Sequence, residues 1–253
     1  HLTVGPLPLP EPVRLLQVAD LHGRMFGKGG RDLADMIRVI SPDLIVMTGD
    51  TVSADCKNLL PTARLLRVLC QIAPVFLIPG NHELRSGRWG EISQGFRSVG
   101  VIVLENERFD GEIKGTPLHI LGLSEGLAVS RVDYLREFLG TMRHADCTAA
   151  LSDLADCDGV RIVLSHFPEL FAGIGRLSYR NFHFDLMLAG HAHGGQFRAG
   201  RFGVYAPGQG LFPRYTAGMH GWNPALVVSR GLGNDSPVPR VNNRPELVLV
   251  TLQ

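Results

Sequence analysis

Two aspartates, one asparagine and five histidines carry most of the chemistry this sequence offers. They fall in five short segments: Asp20 and His22 in ADLH, Asp50 in TGD, Asn81 and His82 in PGNHE, His166 in SHF, and His191 and His193 in AGHAHGG. Every donor is an oxygen or an imidazole and none is a thiolate. Such a set suits Mn, Fe, Zn or a mixed pair and argues against an iron–sulfur cluster. Two-metal sites, with ions about 3.5–4 Å apart, need a carboxylate that bridges the ions and separate ligands for each, and this inventory supplies both.

Taken singly, the segments have plainer readings. An aspartate after a strand is ordinarily a helix cap or turn residue, GNHE can be a turn, and a lone histidine is usually a satisfied polar side chain. What reverses those readings is placement, because each segment follows a stretch that reads as a strand. The strand candidates are Arg14 to Ala19, Asp43 to Thr48, Val75 to Ile78, Leu118 to Gly122, Arg161 to Ser165, Asp185 to Ala189, Ala225 to Ser229 and Glu246 to Leu252, most of them β-branched or leucine-rich. Between them, Arg31 to Ile40, Asn58 to Ile72, Trp89 to Val99 and Arg131 to His144 space apolar residues by three and four, as helices packing one face do. The first half therefore reads as repeated strand–helix units. From Leu186 onward, Gly, Pro and short strands fit an antiparallel sheet with long loops. Donors at strand ends, in loops opened by Gly49, Gly80, Gly190, Gly194 and Gly195, converge on one edge of an α/β sheet.

Length and composition set the frame. A chain of 253 residues with 45% hydrophobic and 19% charged content can bury a large core as one domain, residues 1–253, with residues 1–13 as a proline-rich extended lead-in that cannot be helical. A net charge of +1 provides no broad field for nucleic acid, and 7% aromatic content advertises no stacking platform, so no nucleic-acid partner is expected. Cys56, Cys70, Cys147 and Cys157 show no CxxC spacing and read as free structural thiols. No stretch approaches the roughly 20 apolar residues of a membrane span, and no signal-type segment opens the chain, which begins at His1.

In this order and with these gaps, DLH, GD, GNHE, SH and GHAHGG resemble the five signature blocks of the calcineurin-like metallophosphoesterases, over Val13 to Gln196. The resemblance implies an α/β fold of two packed mixed β-sheets flanked by helices, a four-layer αββα sandwich. It also implies two divalent metal ions. Asp20, His22 and His193 would bind the first, Asn81, His166 and His191 the second, and Asp50 would bridge them, with a bridging hydroxide attacking phosphorus in line. His82 would donate a proton to the leaving oxygen. Many members carry an acidic residue three positions after the bridging aspartate, where this chain has Ser53; Asp55 is then one candidate partner for His82, and action without a carboxylate partner is the other. Candidate substrate contacts are Arg24, Arg85, Arg214 and His220. The remaining histidines read as ordinary polar residues.

The run Gly208 to Gly218 and the ending SRGLGNDSPVPRVNNRPELVLVTL are similar to a bacterial branch that includes membrane-associated phosphodiesterases and UDP-2,3-diacylglucosamine pyrophosphatases. That likeness implies a diester or pyrophosphate substrate linked to lipid or the cell envelope. It also implies contact with a membrane surface, and membrane association or export through an anchor or signal absent from this sequence. The alternatives are a phosphomonoesterase or phosphoprotein phosphatase, a nuclease, and a non-catalytic scaffold, which would be expected to have lost ligands that this chain keeps.

Overall fold

The computed structural model describes residues 1–7, 9–126, 144–173, 178–235 and 239–253. The elements that frame the site run in chain order: β1 (Leu2–Val4), β2 (Val13–Val18), α1 (Arg31–Ile40), β3 (Leu44–Thr48), α2 (Leu60–Cys70), β4 (Val75–Ile78), α3 (Asn81–Arg85), α4 (Trp89–Arg97), β5 (Ile102–Val103), β6 (Glu107–Ile113), β7 (Thr116–Gly122), α5 (Thr148–Ala155), β8 (Val160–Leu164) and β9 (Leu186–Ala189). Four two-residue strands follow, β10 (Arg198–Ala199), β11 (Phe202–Gly203), β12 (Tyr205–Ala206) and β13 (Gly210–Leu211), then β14 (Gly218–His220), β15 (Ala225–Val228) and β16 (Val248–Leu252).

Two six-stranded mixed sheets result, one ordered β1-β16-β2-β3-β4-β5 and the other β14-β15-β9-β8-β7-β6. In the first, β2, β3, β4 and β5 are parallel neighbours, with Leu16 opposite Ile45 and Met47 opposite Leu77. In the second, β7, β8, β9 and β15 are parallel, and β6 and β14 close the edges antiparallel. The antiparallel sheet expected of the second half is thus only partly realised, because β15 pairs in parallel with β9.

Central strands such as LIVMT of β3 and LMLA of β9 are buried along their whole length. This is the signature of parallel strands covered on both faces, and it explains why they read as continuous apolar runs rather than alternations. One core layer lies between the sheets, with Leu15, Val46, Phe76 and Ile78 of the first against Ile120, Ile162, Leu164 and Leu188 of the second. The outer face of the first sheet, Leu16, Ile45, Met47 and Leu77, packs on Leu33 and Ile37 of α1, Leu65 and Leu69 of α2, and Phe96 of α4. The second sheet's outer face, Leu121, Val163 and Met187, packs on Leu151 and Leu154 of α5, Phe171 and Tyr179. Helix, sheet, sheet and helix therefore form four layers, as the resemblance implies.

Some elements depart from the sequence reading. The lead-in contributes β1, parallel to β16, with Leu2 opposite Val250. β6 has no apolar run because it is an edge strand with a largely exposed pattern. The helix expected over Arg131 to His144 lies, except for His144, outside the described residues.

Candidate metal centre

The parallel strands of both sheets end at the same rim, and the donors sit just beyond those ends. Asp20 follows β2, Asp50 follows β3, Asn81 opens α3 after β4, His166 follows β8, and His191 and His193 follow β9. Asp20, His22, Asp50, His191 and His193 all adopt positive φ, between 45° and 63°. Non-glycine residues rarely accept this left-handed conformation, and such strain collects at functional sites. Gly49, at φ +88°, makes the crowding possible: a Cβ there would lie 2.6 Å from His166 Nδ1 and 2.7 Å from the Gly80 Cα.

Four clusters of candidate ligand atoms form among the described residues, each within 4.8 Å. One, Asp110, His119 and Cys157, involves strands β6 and β7, and another, His22, His82 and Asp235, adjoins the rim through His22. The other two share Asp50 at this rim, Asp20, His22, Asp50 and His193 in one and Asp50, His166 and His191 in the other. Asp50 belongs to both, with Oδ2 3.7 Å from His22 Nε2 and 3.3 Å from His166 Nε2. Asn81 joins the second cluster through Oδ1, 2.8 Å from His166 Nε2, and His191 Nδ1 is 3.2 Å from the same nitrogen. The first cluster closes with His22 Nε2 and His193 Nε2 3.3 Å apart. His166 Nδ1 meets the Thr48 carbonyl at 2.8 Å, which fixes that ring with Nε2 turned inward.

The donor set fits divalent cations on its own chemistry. Asp20 Oδ1 accepts the His191 amide at 2.9 Å, while the buried Oδ2 has no hydrogen-bond partner among the described residues. Burial pushes the Asp20 carboxyl up to about 7. Burial likewise lowers His22 to about 4 and drives His193 well below its ordinary value, leaving neutral imidazoles. Asp50 goes the other way: burial opposes its charge, but the neighbouring His166 and His82 outweigh burial and hold it ionised. An ionised Asp50, the neutral imidazoles of His22 and His193 and the orphaned Asp20 oxygen converge in a dry site suited to a cation. His166, raised to about 10 because Asp50 outweighs its burial, holds a proton that a cation would displace.

Two buried glutamates that the sequence reading did not assign hold the rim. Glu83, of the GNHE segment, accepts the Asp50 amide at 2.9 Å, the Gly80 amide at 2.8 Å and the Val52 amide at 2.9 Å. In the second sheet's loops, Glu125 accepts the Ser165 hydroxyl at 2.7 Å and the His166 amide at 2.9 Å. Glu83 stands inside the GNHE block, which signals its importance without its role, whereas Glu125 has no spacing signal and is revealed only by the loops it ties together. His144, given the ordinary reading, also lies near the centre, its ring 4.5 Å from Phe167, which in turn contacts His166 and His191.

His82 opens onto the same rim in α3, its amide donating to Asp50 Oδ1 at 2.9 Å. The carboxylate beside its ring is Asp235, with Oδ2 3.0 Å from His82 Nδ1, whereas Asp55 is exposed. Burial works against a charged His82, but Asp50 and Asp235 outweigh burial and raise it to about 9. Bound cations would push it back down by repulsion.

The candidate substrate residues scatter. Arg85 ends α3, and its charge bears on His82 and His191. Arg24 is exposed, donates to the Leu232 carbonyl at 3.2 Å and lies over the Phe26 ring. Arg214 lies over Tyr215, whose ring also meets His220 5.1 Å away, so these two residues form their own group around Tyr215.

Residues 13–195 match the family model of the calcineurin-like phosphoesterases, and the chain belongs to that family. It is therefore a metal-dependent phosphoric ester hydrolase. It is 28% identical to phosphodiesterase YaeI of Escherichia coli K12, over 95% of this chain and 82% of that protein. It is 25% identical to the uncharacterised metallophosphoesterase YkoQ of Bacillus subtilis 168, over 95% and 84% respectively. Among solved structures, TT1561 of Thermus thermophilus superposes with a TM-score of 0.52 at 14% identity, covering 87% of this chain and 90% of that one, which is a likeness of fold.

Proposed function

We propose that the chain hydrolyses phosphodiesters or pyrophosphates at a centre of two divalent ions, Mn, Fe or Zn. The observation that carries this reading is the position of Asp50, whose Oδ2 faces His22 Nε2 on one side at 3.7 Å and His166 Nε2 on the other at 3.3 Å. Asp20, His22 and His193 would hold one ion, Asn81, His166 and His191 the other, with Asp50 shared. Bound ions supply a water activated near neutral pH and positive charge for the phosphoryl oxygens. His82, fixed at the rim by its amide bond to Asp50, gives a proton to the departing oxygen. Glu83 and Glu125 keep the ligand loops in register by accepting their amides.

Preference for a diester is supported by the relative named a phosphodiesterase. The exposed Phe202, Leu211 and Phe212 favour a substrate with an apolar, lipid-like substituent. Phe202 lies on the β10–β11 hairpin, and Leu211 and Phe212 at the end of the β12–β13 hairpin, whose turn at Gly208 faces the site, since a Cβ added there would lie 3.3 Å from His191 Nε2. A lipid or envelope substrate would place the protein at a membrane surface or outside it. The test is hydrolysis of bis-p-nitrophenyl phosphate against p-nitrophenyl phosphate by chelator-stripped protein and after Mn²⁺ is restored. Metal-dependent activity that prefers the diester is expected; preference for the monoester would instead make the chain a phosphomonoesterase.

A further inference from the structure

At the third position after the shared aspartate, where the family resemblance leads one to look for a carboxylate, this chain has Ser53. The imidazole of His82 nevertheless meets one. Asp235 Oδ2 lies 3.0 Å from His82 Nδ1, and the nearby His82 and Ser53 side chains help hold the Asp235 carboxyl below its ordinary value. The Ala54 amide points at that nitrogen too, at 3.3 Å. A nitrogen that carries a proton cannot accept that bond, and the shorter contact to a carboxylate is the stronger of the two.

Backbone contacts with the metal-ligand loop bring Asp235 to this place. After β15 the chain turns alongside the end of β2, where the Leu232 amide donates to the Ala19 carbonyl at 3.0 Å and the Gly233 amide to the Asp20 carbonyl at 2.6 Å. Gly231, at φ +72°, allows the approach, because a Cβ there would sit 2.6 Å from Asp20 Oδ2. The loop is thus seated on the segment that carries Asp20 and His22, and Asp235 projects from it towards His82.

We propose that Asp235 is the positioning residue for His82: from the C-terminal loop it supplies the carboxylate that position 53 lacks, holds the Nδ1 proton and leaves Nε2 to face the leaving oxygen. This deepens the proposed phosphoester hydrolysis and rests on it. Asp235 Oδ2 is also 4.0 Å from His22 Nδ1, so the competing role is support of a metal ligand.

The experiment compares the parent chain, Asp235→Asn, and Asp235→Asn with Ser53→Asp, on a p-nitrophenyl diester and on a dialkyl diester, with metal content measured alongside. A dialkyl diester needs its leaving oxygen protonated far more than p-nitrophenolate does. For Asp235→Asn, kcat on the dialkyl diester should fall about 10–100-fold, with a much smaller loss on the p-nitrophenyl diester and with KM and metal content held. Ser53→Asp in that background should recover about tenfold. An equal loss on both substrates, or loss of metal, overturns the proposal, the latter in favour of a role at His22. A readout independent of turnover is the low-field proton resonance of His82 Nδ1–H in metal-free protein with labelled histidine. It should be present in the parent chain and absent in Asp235→Ala; persistence in the variant overturns the contact. If the parent chain hydrolysed no phosphoester with Mn, Fe or Zn, the functional reading would fail, and this spectrum would still decide the role of Asp235.

Discussion

The Glu83 carboxylate reaches across from α3 to hold the backbone amide of Asp50 at 2.9 Å, so the loop after β4 fixes the loop after β3. The same carboxylate takes the amides of Val52 and Gly80, and it is fully buried. Removing it in Glu83→Ala would strand three buried donors at roughly 1–3 kcal/mol each. At about 2–4 °C per kcal/mol for a chain of this size, the melting temperature should fall by about 6–36 °C, followed by circular dichroism, and metal content should fall with it. An unchanged melting temperature would mean that the loops hold one another without Glu83.

His82 and Asp50 should separate by metal content. His82→Ala removes a proton donor and none of the ligands proposed for the two ions, so turnover of a dialkyl diester should drop roughly 100-fold or more, and that of a p-nitrophenyl diester much less, with metal stoichiometry retained. Asp50→Ala removes the residue common to both clusters, and both quantities should fall. Metal analysis beside steady-state kinetics reads the two outcomes; full activity of His82→Ala on the dialkyl diester would remove it from the mechanism.

Metal binding should tighten with pH. Asp20, raised to about 7 by burial, and His166, raised to about 10 because Asp50 outweighs its burial, must each release a proton before binding a cation. Apparent affinity should therefore climb from pH 6 to pH 8, by about tenfold per pH unit for each proton released. Calorimetry in buffers of different ionisation enthalpy would count those protons. A pH-independent affinity would contradict the protonation states described.

The same groups set the stability of metal-free protein. His166 has a folded value above its unfolded 6.5, so its contribution is full below 6.5 and is lost as pH rises towards about 10. Asp20 loses stability as pH climbs from its unfolded 3.8 to about 7. His22, lowered to about 4, acts in the opposite sense, but only below 6.5. From pH 7 to 9 the metal-free melting temperature should consequently decline, and bound metal should remove most of that slope. A rising melting temperature over this window in stripped protein would reverse the assignment.

Gly49→Ala should weaken metal binding without replacing a donor. The added methyl would meet His166 Nδ1 at 2.6 Å and the Gly80 Cα at 2.7 Å, and φ is +88°. Backbone cannot yield there as a flexible side chain would, so the His166 and Asp50 loops must part. A loss of metal affinity of about 10–100-fold is expected, measured by competition with a chelating dye.

Much of the fold is legible in the residues themselves. Strands β3, β4, β9 and β15 are buried at every position and read as continuous apolar runs, as parallel strands covered on both faces require. By contrast, β2, β7 and β8 include polar residues, and β16, antiparallel to β2, alternates buried and half-buried positions. The donors directly follow strands of this set, so strand ends and candidate ligands can be read together. β6 is not legible: ERFDGEI is an edge strand with exposed side chains and carries no apolar pattern. The lead-in strand β1 is only three residues long and depends on β16 for its pairing.

The sequence by itself determined which donors the chain carries and that they would gather at strand ends, since both follow from residue type and local periodicity. Only the tertiary structure decided that Asp50 lies between two clusters, that Glu83 and Glu125 anchor the ligand loops, and that Asp235 rather than Asp55 stands beside His82. The positive φ of five donor residues belongs to the same class of fact. Such relations depend on the seating of one loop against another after two sheets have packed, and no spacing along the chain encodes the distance between residues that meet only through that packing.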